Sequence, residues 1–470
     1  MGSDSKAIAK HKKKYDKWPP KRQLRDFKSS VLNYLPAFLV VWLLKKFLNK
    51  SDYRLKRESI KFFELSNRAY ASNKIRKADR LLVVALKLVG LHISHSYVVL
   101  LRKAVESTSD NPKSRREKSE CVLLATQELK IGLFDATGWY QLSRGLFCLG
   151  YFRAAWVARE NSLDLSIAEG SNSNSSPTSV SRAVEAHLER LELESVRATL
   201  SVTKCLGPKA LDSFQELLGL FDGKVEDKFS HGAGNYSEAE QLFRELVNGK
   251  TVVLVGPGSA HGEYGDEIDS ADIVARIKYP GAKYLLDERL FGKRCDISQY
   301  GYLGPLRELA KLISREYFDD LRLIVTGEAD SSAVRAVPVF SEDQEIPLYR
   351  TTITSGLRLL ISLIRQCPLS LKVFGYDFYS EREPYNAGMK SFYEEAAWKM
   401  GDGYLFGTKA NYPKVEITSS FGGHDPVSNF CFAQNLYKAG LFDIEPYGKS
   451  ILELTPYQYV ERLEEMLGDW

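Results

Sequence analysis

The chain is poor in the residues that staple, ligate or span. Its six cysteines (Cys121, Cys148, Cys205, Cys295, Cys367 and Cys431) are scattered over 470 residues with no C-x-x-C spacing. A zinc site is therefore not expected. Histidine is scarce, with seven in all, and no metal motif is evident, so neither a metal nor a resident cofactor is expected. The apolar run Val31 to Leu44 falls short of the roughly 20 residues a helix needs to cross a bilayer. It has no small-residue cleavage site, which argues against a secretory signal. A net charge of only +5 gives no reason to expect a nucleic-acid partner.

What the chain does have is length and apolar material for two or three domains, with 44% hydrophobic residues. Its positive excess is concentrated in residues 1–60, in Lys10-His11-Lys12-Lys13-Lys14, Lys21-Arg22, Lys45-Lys46 and residues 54–57. An apolar run flanked by lysines suits partial insertion at an anionic membrane surface. Docking on the domain behind it and a true span are the alternatives. Residues 1–58 are set apart on this basis as a basic, apolar N-terminal segment.

Residues 59–105 and 117–168 read as helix pairs. In the unit from Gly138 to Ala155 (GWYQLSRGLFCLGYFRAA), the spacing of Trp, Leu, Gly, Tyr and Ala resembles a tetratricopeptide unit. There, small residues let two antiparallel helices approach closely. Residues 169–181 (EGSNSNSSPTSVS) read as a low-complexity polar loop, and helical pattern resumes from Val184 to Leu220. Residues 59–230 thus form an α-helical repeat domain. Ser237-Glu238-Ala239-Glu240 carries a capping-box pattern that starts a helix leading into the first strand.

From Thr251 onward short apolar runs alternate with helical stretches. Strands are expected at 251–255, 272–277, 296–300, 321–325 and 371–375, and helices at 304–316, 355–366, 389–399 and 428–438. Such alternation predicts an α/β, Rossmann-like domain over 236–470, with a mainly parallel sheet and helices on both faces. Ligands in such sheets sit at the carboxyl ends of the strands. The first strand ends in Gly256-Pro257-Gly258-Ser259, where glycine permits backbone N–H groups to approach a phosphate; a plain turn is the alternative. Thr354-Ser355-Gly356 opens a helix with two hydroxyls and N–H groups, an anion site or a simple N-cap. Gly375-Tyr376-Asp377 ends a later strand at the same edge. His424 stands in GGHDP before an amphipathic helix, and an imidazole pKa of about 6.5 suits proton abstraction at neutral pH; a histidine that only caps or hydrogen-bonds is the alternative.

In this order and spacing, residues 251–276 (TVVLVGPGSAHGEYGDEIDSADIVAR), 351–379 (TTITSGLRLLISLIRQCPLSLKVFGYDFY) and 421–437 (FGGHDPVSNFCFAQNLY) resemble the large, small and very small motifs of the sialyltransferases of glycosyltransferase family 29. Gly292-Lys293-Arg294-Cys295-Asp296-Ile297 is similar to the segment that follows the first motif, and Tyr393-Glu394 to the short third one. The resemblance covers about the C-terminal half of the chain. It implies a sialyltransferase-like variant of the GT-A fold. It also implies metal-independent transfer of a 2-keto sugar acid from a CMP-activated donor, which is a substrate and not a cofactor. His424 matches the family's general base, with Asp377 beside it in the catalytic set as a partner for ribose or acceptor hydroxyls. Gly256, Pro257, Gly258, Ser259, Arg276, Lys278, Thr354, Ser355, Gly356, Gly375 and Tyr376 would surround the donor. Arg276 has a second reading, as a structural ion pair with Asp269 or Asp272.

The chain also departs from the family. Asn429 stands where the last motif has Glu, and Pro257 and Lys278 replace asparagines of the first. Cys367 lies near the second motif's cysteine, but the first motif offers it no partner. The missing bridge points to a reducing cytoplasm and a bacterial enzyme. The donor sugar stays open among sialic acid, Kdo, legionaminic acid and pseudaminic acid. The expected role is capsule or lipopolysaccharide synthesis on a glycan or glycolipid acceptor, peripheral on the inner membrane, with the helical repeats binding acceptor or a protein partner. The alternatives are a helical-repeat scaffold with a degenerate transferase domain and a different nucleotide-binding Rossmann enzyme. Against the last, GPGSAHGEYG lacks the dinucleotide G-x-G-x-x-G spacing.

Overall fold

Strand β1 (Thr251–Val255) is a run of β-branched side chains and leucine, buried along nearly its whole length. A strand covered on both faces needs that composition. It pairs in parallel with β2 (Ile273–Ile277) on one side and with β6 (Ser370–Phe374) on the other. The computed structural model describes residues 115–468 apart from 172–174, 204, 226–236, 280, 282–286, 301–320, 327–336, 342–345, 382–385, 387–420 and 422–423. Within them, β3 (Ile297–Tyr300), β4 (Leu323–Thr326), β5 (Val339–Ser341) and β7 (Asp443–Ile444) complete a seven-stranded parallel sheet in the order β5-β4-β3-β2-β1-β6-β7. The chain winds outward from β1 to β5, then returns to the other side of β1 for β6 and β7. The winding reverses between β1 and β6, which is where an open α/β sheet offers a ligand crevice.

Side chains alternate across the sheet. Val252 and Leu254 enter the main core, whereas Val253 and Val255 join Val274, Phe374, the short-helix residue Ile268 and its C-cap Ala271 on the other face. The helices are α1 (Arg115–Gln127), α2 (Ala136–Leu149), α3 (Phe152–Gly170), α4 (Pro177–Glu189), α5 (Leu193–Val202), α6 (Pro208–Phe221), α7 (Glu238–Val247), α8 (Gly265–Ser270), α9 (Glu288–Phe291), α10 (Ser355–Ile364), α11 (Pro426–Lys438), α12 (Pro446–Leu452) and α13 (Pro456–Gly468). Helix α2 ends at Gly150, whose left-handed φ of 79° lets its N–H reach the Leu146 and Phe147 carbonyls. The chain then turns directly into α3, with Trp139, Phe147, Phe152 and Ala155 buried between the two. Ser237 and Glu240 form the expected capping box at α7.

One hydrophobic cluster runs from Val122 and Trp139 through β1, α10 and α11 to Leu463. Helices α1–α6 and the sheet therefore share a core. Two expectations need revision. The polar stretch 169–181 is not one loop: α3 continues to Gly170, and α4 begins at Pro177 with the Ser176 side chain capping the Ser179 N–H. A serine cap followed by proline at the first helical position outweighs the polar composition. The helical pattern up to Leu220 is likewise broken into α4, α5 and α6. Segments 1–58 and 59–105, the helices expected at 304–316 and 389–399, and Tyr393-Glu394 lie outside the described residues. No helix among the described residues is long and apolar enough to cross a membrane.

Candidate functional site

At the switch point the loops after β1 and β6 are joined by their main chains. The Gly256 N–H donates to the Phe374 carbonyl at 2.7 Å and the Gly258 N–H to the Gly375 carbonyl at 3.0 Å. A Cβ on Gly256 would stand 2.3 Å from the Gly375 carbonyl oxygen, and one on Gly258 would stand 2.8 Å from it. The glycines thus admit another backbone, and their N–H groups face β6. This corrects the expectation that the Gly256 and Gly258 amides cradle a phosphate. On the β6 side, Gly375 has φ 60°, a left-handed conformation that glycine adopts without strain.

Against this turn lies Asp377, 7% exposed. Its Oδ1 accepts from the Tyr379 N–H at 3.0 Å, and its Oδ2, beside Gly258, has no hydrogen-bond partner among the described residues. Burial pushes its pKa up to about 7; the Tyr379 N–H pulls the other way, and the charges of Glu381 and Glu445 add to the rise. Glu445, also buried, accepts from the Gly375 N–H at 3.2 Å and caps α12 by accepting from the Gly448 N–H at 2.8 Å. Desolvation raises its pKa as well. Tyr376 hydrogen-bonds through its hydroxyl to Thr354 Oγ1 at 3.1 Å, and burial pushes its pKa up to about 12.

The start of α10 faces the same edge. Thr354 turns its hydroxyl to Tyr376 and does not cap the first-turn N–H groups. Its own N–H donates to Asn429 Oδ1 at 2.8 Å. Gly356 is needed because a Cβ there would meet the Tyr376 ring at 2.3 Å. His424 Nδ1 lies 3.2 Å from both the carbonyl and the Oγ1 of Thr352. A carbonyl only accepts, so Nδ1 carries the proton in that bond and Nε2 is the acceptor nitrogen. Asn429 Nδ2 donates to the Thr352 carbonyl at 3.4 Å, so Thr352, Thr354, Tyr376, Asn429 and His424 are linked, and Gly256, Gly258, Gly375 and Asp377 form the adjoining turn.

No family model matches this chain, and no curated protein or solved structure matches it either. The site stands on its own geometry.

The remaining expected residues lie along the same strand ends, with partners of their own. Arg276 is 3% exposed, and its Nε and Nη2 donate to the carbonyls of Arg294 and Phe291, each at 2.7 Å. It ties the α9 loop to β2, so its guanidinium faces main chain where a donor contact or an acidic side-chain partner was expected. Lys278 follows β2 in a left-handed conformation, φ 53°, with its N–H donating to the Gln299 carbonyl at 2.9 Å. The Pro257 carbonyl accepts from the Asn386 N–H at 2.8 Å, while Ser259 and Ser355 are half-buried at the same edge. Two carboxylates were not anticipated. Glu445 is announced only by Glu-Pro at the start of α12, and Asp425, fully buried, only by Asp-Pro at the start of α11. That dipeptide is a cap-plus-proline signal.

Proposed function

We propose that the chain is a glycosyltransferase that moves a 2-keto sugar acid from a CMP-activated donor to a glycan hydroxyl, with the sialyltransferase-like form of the α/β fold. One observation carries the reading: three segments far apart in sequence, each resembling a sialyltransferase motif, converge at the switch point through the Thr354–Asn429, Thr354–Tyr376 and Gly258–Gly375 hydrogen bonds. The donor's anionic groups are best served by the α10 N-terminus, since the glycine amides are engaged with β6. Asp377 Oδ2 would hydrogen-bond a ribose or acceptor hydroxyl.

In the reaction, His424 Nε2 takes the acceptor proton as the acceptor oxygen bonds to the anomeric carbon. The bond from that carbon to the CMP phosphate oxygen breaks, and its electron pair leaves with CMP. The basic N-terminal segment would keep the enzyme at the cytoplasmic face of the inner membrane, near a glycolipid acceptor. The helical region would bind acceptor or a protein partner.

A second reading, a scaffold with a degenerate transferase half, draws support from Asn429, which replaces the family's Glu and uses its amide structurally. A CMP-release assay over a panel of CMP-sialic acids and CMP-Kdo, with and without chelator, separates the two. The transferase reading expects chelator-insensitive turnover that falls by about 10²–10⁴ in His424→Ala. Failure of every CMP ligand to bind would leave the scaffold.

A further inference from the structure

Asp425, the chain neighbour of His424, is tied at every polar atom. Its side chain is 0% exposed. Oδ1 caps α11, accepting from the Val427 N–H at 2.9 Å and the Ser428 N–H at 3.2 Å. Oδ2 lies 3.3 Å from Arg159 Nε and 3.8 Å from Arg144 Nη1. The main-chain N–H donates to Thr351 Oγ1 at 2.9 Å, and the carbonyl accepts from Asn429 Nδ2 at 2.8 Å. Arg144 belongs to α2 and Arg159 to α3, the latter 266 residues earlier in the chain. Arg159 also donates to Ser428 Oγ at 3.2 Å and pairs with Glu189 of α4.

Fold stability does not account for this cluster. A helix cap uses one oxygen, and asparagine caps as well as aspartate. Removing guanidinium and carboxylate groups from water costs several kcal/mol per ion, and well-packed apolar side chains often match or better a buried pair. Arg144 Nη1 has no hydrogen-bond partner among the described residues. What the cluster does secure is the orientation of one residue, the one that carries the chain into His424. In the sequence, His424 is preceded by Gly422 and Gly423, which carry no side chains.

We propose that Arg144 and Arg159 are positioning residues which, through Asp425, hold the His424 imidazole against Thr352. Helices α2 and α3 then belong to the reactive centre. The proposal rests on the transferase reading for what His424 does, and on the geometry alone for where it is held.

Asp425→Asn keeps the α11 cap and removes the charge that the guanidinium groups hold. In full-length protein carrying labelled histidine, the His424 ring resonance is identified by its loss in His424→Ala. Asp425→Asn is expected to move that resonance, lower kcat for CMP release about tenfold and leave KM within about twofold. Arg144→Met should reproduce the pattern, and Arg144→Lys should recover most of it. An unmoved resonance with unchanged kcat overturns the positioning role. Should wild-type protein release CMP from no donor, the transferase reading fails while the resonance comparison still decides the positioning claim. If Asp425→Asn does not fold, Arg144→Met gives the same decision, because it leaves the cap and the Arg159 pair intact.

Discussion

Asn429 accepts, through its side-chain oxygen, a 2.8 Å hydrogen bond from the backbone N–H of Thr354. Its amide nitrogen donates to the Asp425 carbonyl at 2.8 Å, so one side chain locks the start of α10 to the start of α11. Glutamate, which the resemblance would place here, has no N–H to donate and is one methylene longer. Asn429→Glu is therefore expected to cost about 1–3 kcal/mol, the usual consequence of stranding a buried polar group. It should bring no gain in turnover. Urea unfolding with an unchanged slope and a lower midpoint checks the stability. A rise in turnover would mean that the family's Glu has a vacant role at this position.

Asp377 predicts a pH dependence. Burial places its folded pKa at about 7, above the unfolded value of 3.8. Below about pH 4 both states hold the proton. Between about 4 and 7 only the folded state does, so stability falls as pH rises, by up to about 1.4 kcal/mol per pH unit, and levels off above 7. Asp377→Asn removes that slope. Relative to wild type, the variant should gain stability between pH 5 and pH 8, measured by urea unfolding at both. A difference that does not change with pH would show the carboxylate charged throughout.

The central sheet was legible because buried parallel strands are continuous apolar runs: β1 was expected at 251–255 and lies there, and β2, β3, β4 and β6 fall within two residues of expectation. Strands β5 and β7 were not legible. They have three and two residues at the sheet edges, too short for a periodic signal, and form by docking on their neighbours. In the site, the motif residues near Thr354, Gly375 and His424 were visible as turn, cap and glycine signals. What those signals do not encode is which group a glycine makes room for. Gly256 looks the same in sequence whether a phosphate or the Gly375 carbonyl approaches it. Arg144 and Arg159 gave no signal, because their partner is hundreds of residues away.

The glycine contacts rank two substitutions. A methyl on Gly256 meets the Gly375 main-chain carbonyl, which cannot retreat without parting β1 from β6. A methyl on Gly356 meets the Tyr376 side chain, which can rotate at the cost of its bond to Thr354. Gly256→Ala should destabilise by about 3 kcal/mol or more, and Gly356→Ala by about 1 kcal/mol. Only the second should fold well enough to show a weakened affinity for CMP by calorimetry. The reverse order of stability would mean that the two loops are not packed as tightly as the main-chain bonds require.

Arg276 offers the sharpest contrast between resemblance and geometry. As a donor ligand it would lose affinity on substitution while the fold stood. The structure gives its guanidinium to two carbonyls on the α9 loop, at 3% exposure, and burial holds its pKa below the usual value. The planar fork reaches both oxygens at once. A lysine ammonium is a single, more strongly hydrated point and would leave at least one carbonyl without its donor. Arg276→Lys is thus expected to lower stability by about 2 kcal/mol. CMP affinity per folded molecule should stay within about twofold. Calorimetric titration and urea unfolding of the same preparation read both quantities together. An affinity loss of tenfold or more at unchanged stability would return Arg276 to the donor site, and would require the α9 loop to release its guanidinium when the nucleotide arrives.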